Sequence, residues 1–288
     1  MNSTQENLKP RIYPAALTIA GSDSGGGAGI QADLRTFSYF RVFGTCAITA
    51  VTFQNPLEVS GIEAVSPAGV RAQIEMVRKA VDLAAAKTGM LFSAEIIAET
   101  VAAMRDFSGP LVVDPVMIST SGRKLLQDSA IEAVRTMLLP LASWITPNLP
   151  EAEILIGRSI RTGEEAIAAA RECSERWGCS VVIKGGHAEG PDASDVAVHQ
   201  GTCLLLSAAR EPVTGNSDHG TGCTFSSALT AQLAHGVNWK DALICAKAFV
   251  LASLRRPVRL SDGVAGMFPP EEDLSHFSHS VICREVFA

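Results

Sequence analysis

Short runs of consecutive apolar residues alternate along the chain with longer stretches of helical periodicity, and this alternation is the strongest constraint on the fold. Segments 111–113 and 181–183 are apolar throughout, whereas a strand with one face in water alternates apolar and polar residues. Continuous apolar strands are typical of a parallel sheet covered by helices on both faces. The pattern therefore predicts an α/β fold with three layers, α/β/α, in which helices flank a mostly parallel central sheet.

The predicted elements follow one another in the order that such a sheet requires, because a helix separates most neighbouring strands. The predicted strands are 14–20, 45–53, 87–92, 111–114, 144–146 and 181–183, and a hairpin of 195–199 with 203–206 follows them. The predicted helices are 30–40, 67–83, 94–105, 130–138, 151–156 and 164–177, with a further one from about Phe225 to Gly236. The remainder of the chain is predicted to be mostly helical.

Residues 13–288 are predicted to form one domain. Of the 288 residues, 47% are hydrophobic and 19% are charged, which excludes a disordered or fibrous chain and allows a large core. No Gly/Ser linker, repeat or low-complexity block divides the sequence. Residues 1–12 are polar and are expected to form a flexible tail.

Charge and cysteine usage limit the partners and the compartment. The formal net charge is −6 and no Lys/Arg-rich run is present, so small molecules are expected as partners rather than nucleic acid. No apolar segment approaches the roughly 20 residues that span a bilayer, so no membrane association is expected. The seven cysteines are an odd number without a C-x-x-C pair, and the N-terminus lacks the apolar stretch of a signal peptide. The expected location is the cytoplasm.

The stretch from His219 to Ser227 is a glycine-rich turn that runs directly into a helix. Gly220 and Gly222 let backbone N–H groups point the same way, and a helix start carries unpaired N–H groups and a partial positive charge. The stretch therefore indicates an anion site, with phosphate as the natural ligand. Cys223 lies in the first turn, where the helix start is expected to lower the pKa of the thiol so that it can accept a proton from a hydroxyl group. A tight turn with a small buried cysteine is the alternative that this stretch alone leaves open.

Several familiar motifs do not fit. The chain has no Gly-Lys pair, which the phosphate loop of P-loop enzymes requires, and the G-x-G-x-x-A pattern at 27–32 begins too far after its strand for a dinucleotide site. The run Ser22-Asp23-Ser24 lacks the context of a serine-protease nucleophile. The six histidines show no zinc spacing, and carboxylates at strand ends match Mg²⁺ better.

A set of segments, read together, resembles one family over about residues 15–236. The segments are 21–33 (GSDSGGGAGIQAD), 49–55 (TAVTFQN), 89–91 (GML), 114–117 (DPVM), 121–122 (SG), 146–153 (TPNLPEAE), 184–187 (KGGH) and 219–227 (HGTGCTFSS). Their order and spacing resemble those of the hydroxymethylpyrimidine/phosphomethylpyrimidine kinases of thiamine biosynthesis, which belong to the ribokinase superfamily. The resemblance implies a ribokinase-like fold, ATP and Mg²⁺ as cofactors, a small pyrimidine substrate and a homodimer.

The resemblance implies a pyrimidine pocket formed by Gly21, Asp33, Gln54, Met90 and Val116. Asp33 and Gln54 can pair with the donors and acceptors of an aminopyrimidine, and Met90 and Val116 can cover its faces. Without the resemblance, the favoured interpretation is that Asp33 is an acid in the first turn of a helix and that the two apolar residues are core.

The resemblance also implies the groups that transfer phosphate. Gly220, Thr221, Gly222 and Cys223 form the anion hole, with Cys223 as the base. Lys184 contacts the ATP phosphates, Asn148 and Thr221 are further nucleotide-binding residues, and Asp114 and Glu151 organise Mg²⁺ directly or through water. Such an arrangement suits phosphoryl transfer, in which positioning and charge neutralisation carry most of the catalysis. The alternatives are a strand-end lysine that extends to solvent for Lys184 and an acid at a helix N-terminus for Glu151.

Two regions depart from the family pattern. Asp218 stands where the family usually has an uncharged residue, and a carboxylate next to an anion site repels phosphate unless it faces solvent or shares the magnesium. The tail from Arg255 onward matches poorly, so contacts to adenine are not assigned. Segment 121–124 (SGRK) resembles the segment that covers such a site, although Arg123 and Lys124 are unexpected there.

The sequence thus predicts an ATP-dependent kinase that acts on the hydroxymethyl group of a small aminopyrimidine, and on its monophosphate to give the diphosphate. Pyridoxal kinase activity is the nearest alternative, because related enzymes on this fold phosphorylate a hydroxymethyl group on a similar ring. A catalytically silent small-molecule sensor is the alternative from another class, motivated by Asp218 and the unusual tail.

Overall fold

The computed structural model describes residues 12–117, 126, 128–186 and 190–286. Segment 121–124 and His187 lie outside the described residues. Twelve strands are described: β1 (Ala15–Asp23), β2 (Phe43–Gln54), β3 (Val59–Ala64), β4 (Leu83–Thr88), β5 (Leu111–Val113), β6 (Trp144–Ile145), β7 (Ser180–Ile183), β8 (Asp192–His199), β9 (Thr202–Ala209), β10 (Val258–Ser261), β11 (Val264–Gly266) and β12 (Ile282–Glu285). The α-helices are α1 (Gly29–Tyr39), α2 (Pro67–Ala80), α3 (Ala94–Met104), α4 (Asp128–Ala133), α5 (Leu149–Ile156), α6 (Gly163–Trp177), α7 (Thr221–Ala234), α8 (Trp239–Arg255) and α9 (Ser275–Ser280).

Ten of the strands form one sheet, in the order β12-β9-β8-β7-β6-β5-β4-β1-β2-β3. The six strands from β7 to β2 are parallel, and the pairs β2/β3, β7/β8, β8/β9 and β9/β12 are antiparallel. The central parallel strands β5 and β7 are fully buried, as expected for a sheet with helices on both faces. The predicted fold, a mostly parallel sheet in an α/β chain, is confirmed.

The two faces of the sheet are covered by different helices. One apolar core contains residues of α2 to α6, and a second contains residues of α7, α8 and α9. Helix starts on the first face are capped by side chains, as where Ser66 and Ser93 each accept a hydrogen bond from the backbone three residues later. Gly157 and Gly178 end α5 and α6 in the left-handed conformation.

The structure corrects several predicted boundaries. The strand predicted at 87–92 is β4, which begins at Leu83 and ends at Thr88, and the next residues, Gly89 and Met90, line a cavity. Helix 130–138 is α4 followed by a π-helical turn, Val134–Leu138. The prediction of a mostly helical remainder is wrong for β10, β11 and β12, and β3 was not predicted at all. Most residues of these strands are at least partly exposed, so they lack the apolar run that marks a buried strand.

The carboxyl ends of the parallel strands meet at one edge of the sheet, and α7 begins above them. Asp23 ends β1, Asp114 follows β5, Asn148 follows β6 and Lys184 follows β7. Ligands bind at this edge in open α/β sheets. None of the helices in the described ranges is long and apolar enough to cross a membrane.

Candidate active site

A cavity of about 580 Å³ lies at the carboxyl edge of the sheet, next to the first turn of α7. Twelve of the thirteen predicted site residues line it. They are Gly21, Gln54, Met90, Asp114, Val116, Asn148, Glu151, Lys184, Gly220, Thr221, Gly222 and Cys223. The structure therefore brings together residues from seven separate segments of the sequence, and the one predicted residue absent from the wall is Asp33.

Gly220 makes the turn before α7 possible. Its φ angle of +87° is in the left-handed region, and a Cβ atom at this position would lie 1.9 Å from the carbonyl oxygen of Gly27. Only glycine allows the two backbones to approach this closely. The backbone N–H groups of the next residues then lie at the start of α7, in the cavity wall. A helix start in this position is a typical anion site.

We expect Gly220→Ala to lower kcat by between about tenfold and a hundredfold, because the added Cβ moves the turn away from its position over the cavity. Gly236→Ala at the other end of α7 is the matched control. Gly236 also has a positive φ angle, +71°, but a Cβ there would have no atom within 4 Å. Steady-state kinetics of the two purified variants check the expectation, and equal effects of both substitutions would contradict it.

Lys184 and Asp114 form an ion pair in the wall of the cavity. The Lys184 Nζ atom lies 2.9 Å from Asp114 Oδ1, and a Cβ on Gly222 would lie 3.1 Å from the same Nζ. Burial alone would lower the pKa of Lys184, but the carboxylates of Asp114 and Glu151 outweigh it and raise that pKa above its ordinary value. The positive charge of Lys184 is therefore held directly beside residues 220–223, which we call the anion turn.

Asp114 is held from three sides. Besides Lys184, its Oδ1 accepts a hydrogen bond from Thr146 Oγ1 at 3.3 Å, and its Oδ2 accepts one from Ser226 Oγ at 3.1 Å. Ser226 is in α7, one turn after Cys223. The helix that carries the anion turn is therefore tied to the strand end that carries Asp114.

Glu151 and Asn148 form a capping box at the start of α5. The Asn148 Oδ1 atom accepts from the Glu151 backbone N–H at 2.8 Å, and Glu151 Oε2 accepts from the Asn148 N–H at 2.9 Å. Burial raises the pKa of Glu151 to about 7, although the Lys184 charge opposes this rise. The reading of Glu151 as an acid at a helix N-terminus is thus correct, and its place in the cavity wall is correct as well.

Cys223 is half-buried in the cavity wall, where the backbone N–H of Gly29, the first residue of α1, favours its thiolate form. Burial raises its pKa to about 11, although Lys87 and the Gly29 N–H act in the opposite direction. The expectation that the helix start lowers this pKa is therefore wrong for the net effect. Desolvation of the thiolate raises the pKa by more than the helix start and the Lys87 charge lower it.

Another part of the cavity wall is shaped by apolar contacts. A Cβ on Gly21 would lie 2.5 Å from Met90 Cε, so the absence of a side chain at Gly21 leaves room for the methionine. Met90 is nearly buried, and Val116 and Gln54 are partly exposed in the same wall. These residues can enclose a flat ring and offer it one amide group.

Asp33 does not reach the cavity, which corrects its predicted place around the ring. Its carboxylate is fully buried beneath the wall, where it accepts hydrogen bonds from Lys87 Nζ at 2.9 Å, Ser227 Oγ at 2.5 Å and Thr18 Oγ1 at 2.6 Å. Three donors occupy its two oxygens, so the side chain ties together α1, β1, β4 and α7.

Lys247 and Asp195 are among the wall residues that were not predicted. Lys247 of α8 pairs with Asp195 of β8 at 2.7 Å, and Asp195 also accepts from the Gly185 N–H at 2.9 Å. Asp218 is half-buried in the wall beside the turn, with its backbone oxygen bonded to the Thr221 N–H. No local motif marks Lys247 or Asp195, because the two lie 52 residues apart in the chain.

A cation at a strand end that faces a glycine turn at a helix start can bind and neutralise a phosphate, and on this mostly parallel sheet the arrangement indicates a small-molecule kinase. Comparison with known proteins agrees with this class. The family model described as phosphomethylpyrimidine kinase matches residues 23–267. The hydroxymethylpyrimidine/phosphomethylpyrimidine kinase of Rhizobium meliloti is 45% identical over 249 residues, which cover 86% of this chain and 93% of that protein.

Solved structures show the same likeness. The phosphomethylpyrimidine kinase of Clostridium difficile 630 is 39% identical with a TM-score of 0.73, covering 82% of this chain and 97% of that one. The pyridoxal kinase of Staphylococcus aureus in complex with AMP-PCP and pyridoxal is 32% identical with a TM-score of 0.83, covering 96% and 100%. The chain belongs to the phosphomethylpyrimidine kinase family. The predicted family, fold and kinase class are confirmed.

Proposed function

We propose that the protein transfers a phosphoryl group from ATP to the hydroxymethyl group of 4-amino-5-hydroxymethyl-2-methylpyrimidine, and then to the resulting monophosphate, in thiamine biosynthesis. The observation that carries the proposal is that Cys223, the anion turn and Lys184 line the same cavity as Gln54, Met90 and Val116. The family membership and the acceptor named for the relatives support the same substrate.

In the proposed first step, the substrate oxygen bonds to the γ-phosphorus as the bond from that phosphorus to the bridging oxygen of ADP breaks. Cys223 Sγ accepts the hydroxyl proton, and the backbone N–H groups of Gly220, Gly222 and Cys223 stabilise the charge on the transferring group. Lys184 neutralises the phosphates from the other side. The second step uses a phosphate oxygen as the acceptor, which is already ionised and does not need a strong base.

Asp114 and Glu151 fit a magnesium ion that is shared with nucleotide phosphates. Both carboxylates line the cavity, and Mg²⁺ is usually held by one or two carboxylates plus phosphates and waters. Their oxygens already accept from Lys184, Ser226 and the Asn148 backbone, so contact through water suits them. No cluster of three or more His, Cys, Asp or Glu side chains that could hold a metal alone occurs among the described residues. When bound, Mg²⁺ would neutralise phosphate charge.

We also propose a homodimer in the cytoplasm. The resemblance supports the dimer, and so do exposed apolar side chains on and beside β2, such as Phe43, Phe53 and Leu57, which are 64%, 50% and 67% exposed. All seven cysteines are free thiols, as in a reducing compartment. Analytical ultracentrifugation tests the dimer, and a monomer at micromolar concentration would contradict it.

The proposed function is tested by an ATP-consumption assay with three acceptors in parallel: the pyrimidine alcohol, its monophosphate and pyridoxal. We expect turnover with the first two and a kcat/KM for pyridoxal that is at least about tenfold lower. The likeness to the Staphylococcus aureus pyridoxal kinase is the reason to include the third acceptor. A preference for pyridoxal would transfer the proposal to that substrate. Measurable ligand binding without turnover on any acceptor would favour the sensor.

A further inference from the structure

The loop between β1 and α1, residues 23–29, is folded around the carboxylate of its own first residue. Asp23 accepts hydrogen bonds from the backbone N–H groups of Gly25 at 2.7 Å, Gly27 at 2.9 Å and Ala28 at 2.8 Å. Its side chain is only 2% exposed. A buried carboxylate with three N–H donors imposes one conformation on a loop that is otherwise rich in glycine.

His219, the residue before the anion turn, contacts the same carboxylate. Its Nε2 atom lies 3.0 Å from Asp23 Oδ2, across 196 residues of sequence. Burial would raise the pKa of Asp23, but hydrogen bonds from His219, the Ala28 N–H and Gln54 outweigh it, so the pKa lies below its ordinary value. The ionised carboxylate therefore joins the glycine-rich loop to the turn that precedes α7.

The loop 23–29 and the turn before α7 are also in contact through their backbones and through the His219 ring. The Gly220 turn lies against the carbonyl of Gly27, and a Cβ on Gly27 would lie 2.5 Å from Cδ2 of His219. Arg35 of α1 donates to the Gly26 carbonyl and holds the loop from its other side. The loop therefore cannot move without moving the turn.

Gly29 ends this loop and lines the cavity together with Cys223, and its N–H group favours the thiolate form of Cys223. Gly29 has a φ angle of +57°, and a Cβ there would lie 2.3 Å from the Gly21 carbonyl oxygen. The N-terminus of α1 thus faces the residue that accepts the proton in the proposed reaction, while Cys223 itself lies in the first turn of α7. The position of the α1 N-terminus relative to Cys223 depends on the contact between Asp23 and His219.

We propose that Asp23 and His219 act as positioning residues: their contact holds the Gly29 N–H against Cys223 and the anion turn over the cavity for phosphoryl transfer. This inference rests on the proposed function, since it assigns a role to the surroundings of Cys223. Neither residue is required to touch substrate in this role. Losing the contact is expected to slow the transfer step and to leave substrate binding nearly unchanged.

The variants Asp23→Asn and His219→Asn test the inference in the full-length enzyme. We expect kcat to fall by between about tenfold and a hundredfold, because displacement of reacting groups by about 1 Å has effects of that size. The KM values for the pyrimidine alcohol and ATP are expected to stay within about threefold. His219→Gln, whose amide can still donate to Asp23, is expected to retain kcat within about fivefold of the wild type.

Two comparisons separate this role from a general loss of structure. The double variant is expected to lose no more than about twofold beyond the worse single variant, because both substitutions break one contact. His235→Asn is the matched control, since His235 Nε2 also joins α7 to α1, lying 2.8 Å from the Phe40 carbonyl oxygen at the end away from the cavity. It is expected to keep wild-type kcat. Unchanged kcat in both contact variants, effects on KM alone, or additive losses would overturn the inference.

Hydrogen exchange measured by mass spectrometry gives a readout that does not depend on turnover. Peptides that contain 23–29 and 219–223 are expected to exchange faster in His219→Asn and Asp23→Asn, and at the wild-type rate in His235→Asn. If Cys223→Ala kept normal turnover, the assignment of the base would fail, whereas the exchange data would still show whether the contact holds the loop. Unchanged exchange in both contact variants would reject the contact itself, whatever the acceptor substrate proves to be.

Discussion

Replacing Cys223 with alanine is expected to lower kcat for the pyrimidine alcohol by about 10²- to 10⁴-fold, the usual contribution of a positioned general base. The KM values are expected to change by less than about threefold, because the thiol is small and because the proposed function assigns ATP binding mainly to the turn and Lys184. Steady-state kinetics with both substrates varied measure the effect. Phosphorylation of the monophosphate is expected to fall less, since its acceptor oxygen is already ionised.

The raised pKa of Cys223 also predicts how kcat depends on pH. Burial raises the pKa of Cys223 to about 11, so the thiol predominates at neutral pH and the thiolate fraction grows tenfold per pH unit below that value. The kcat for the alcohol is therefore expected to rise with pH between 7 and 9 in the wild type and to be flatter in Cys223→Ala.

Cys245→Ala is the matched control for this substitution. Cys245 lies in α8, outside the cavity wall, and burial raises the pKa of its thiol to about 11 as well. We expect wild-type kinetics from this variant. Near-normal turnover of Cys223→Ala, or an equal loss in Cys245→Ala, would remove Cys223 as the base.

The features that could be predicted from the sequence are those that local chemistry determines. An apolar run that stops at Asp114 or Lys184 marks a buried parallel strand and the cavity edge together. Gly220 and Gly222 mark the anion turn because a side chain at Gly220 is sterically impossible. Each of these signals lies within a few residues, so no knowledge of distant partners was needed.

The features that could not be predicted depend on partners far apart in the chain. Asp33 has the same local sequence whether it faces a substrate or a buried lysine, and the choice is made by Lys87 and Ser227, which are 54 and 194 residues away. The pKa of Cys223 also depends on distant residues, because they bury the thiol. The local sequence at the start of α7 does not show this burial. The exposed edge strands β3 and β12 lacked an apolar pattern because little of their surface is buried.

The buried pair of Lys87 and Asp33 is expected to be the most sensitive point for stability. Both side chains are fully buried, with Nζ and Oδ1 2.9 Å apart. Burial would lower the pKa of Lys87, but the Asp33 carboxylate, with Cys223 and Asp114, raises it above its ordinary value. Lys87→Met removes the positive charge and leaves the Asp33 carboxylate buried with two hydroxyl donors. We expect the free energy of unfolding to fall by about 3–5 kcal/mol, the usual cost of an uncompensated buried charge.

Urea unfolding followed by circular dichroism measures this loss. Lys79→Met is the control, because Lys79 is exposed on α2, and its substitution is expected to change the free energy by less than about 0.5 kcal/mol. The double variant Lys87→Met/Asp33→Asn is expected to be more stable than Lys87→Met alone, since it leaves no unpaired charge inside the protein. If the single and double variants unfolded at the same urea concentration, the unpaired charge of Asp33 would not be the cause of the lost stability. The loss would then have to come from the changed packing of the side chain at residue 87.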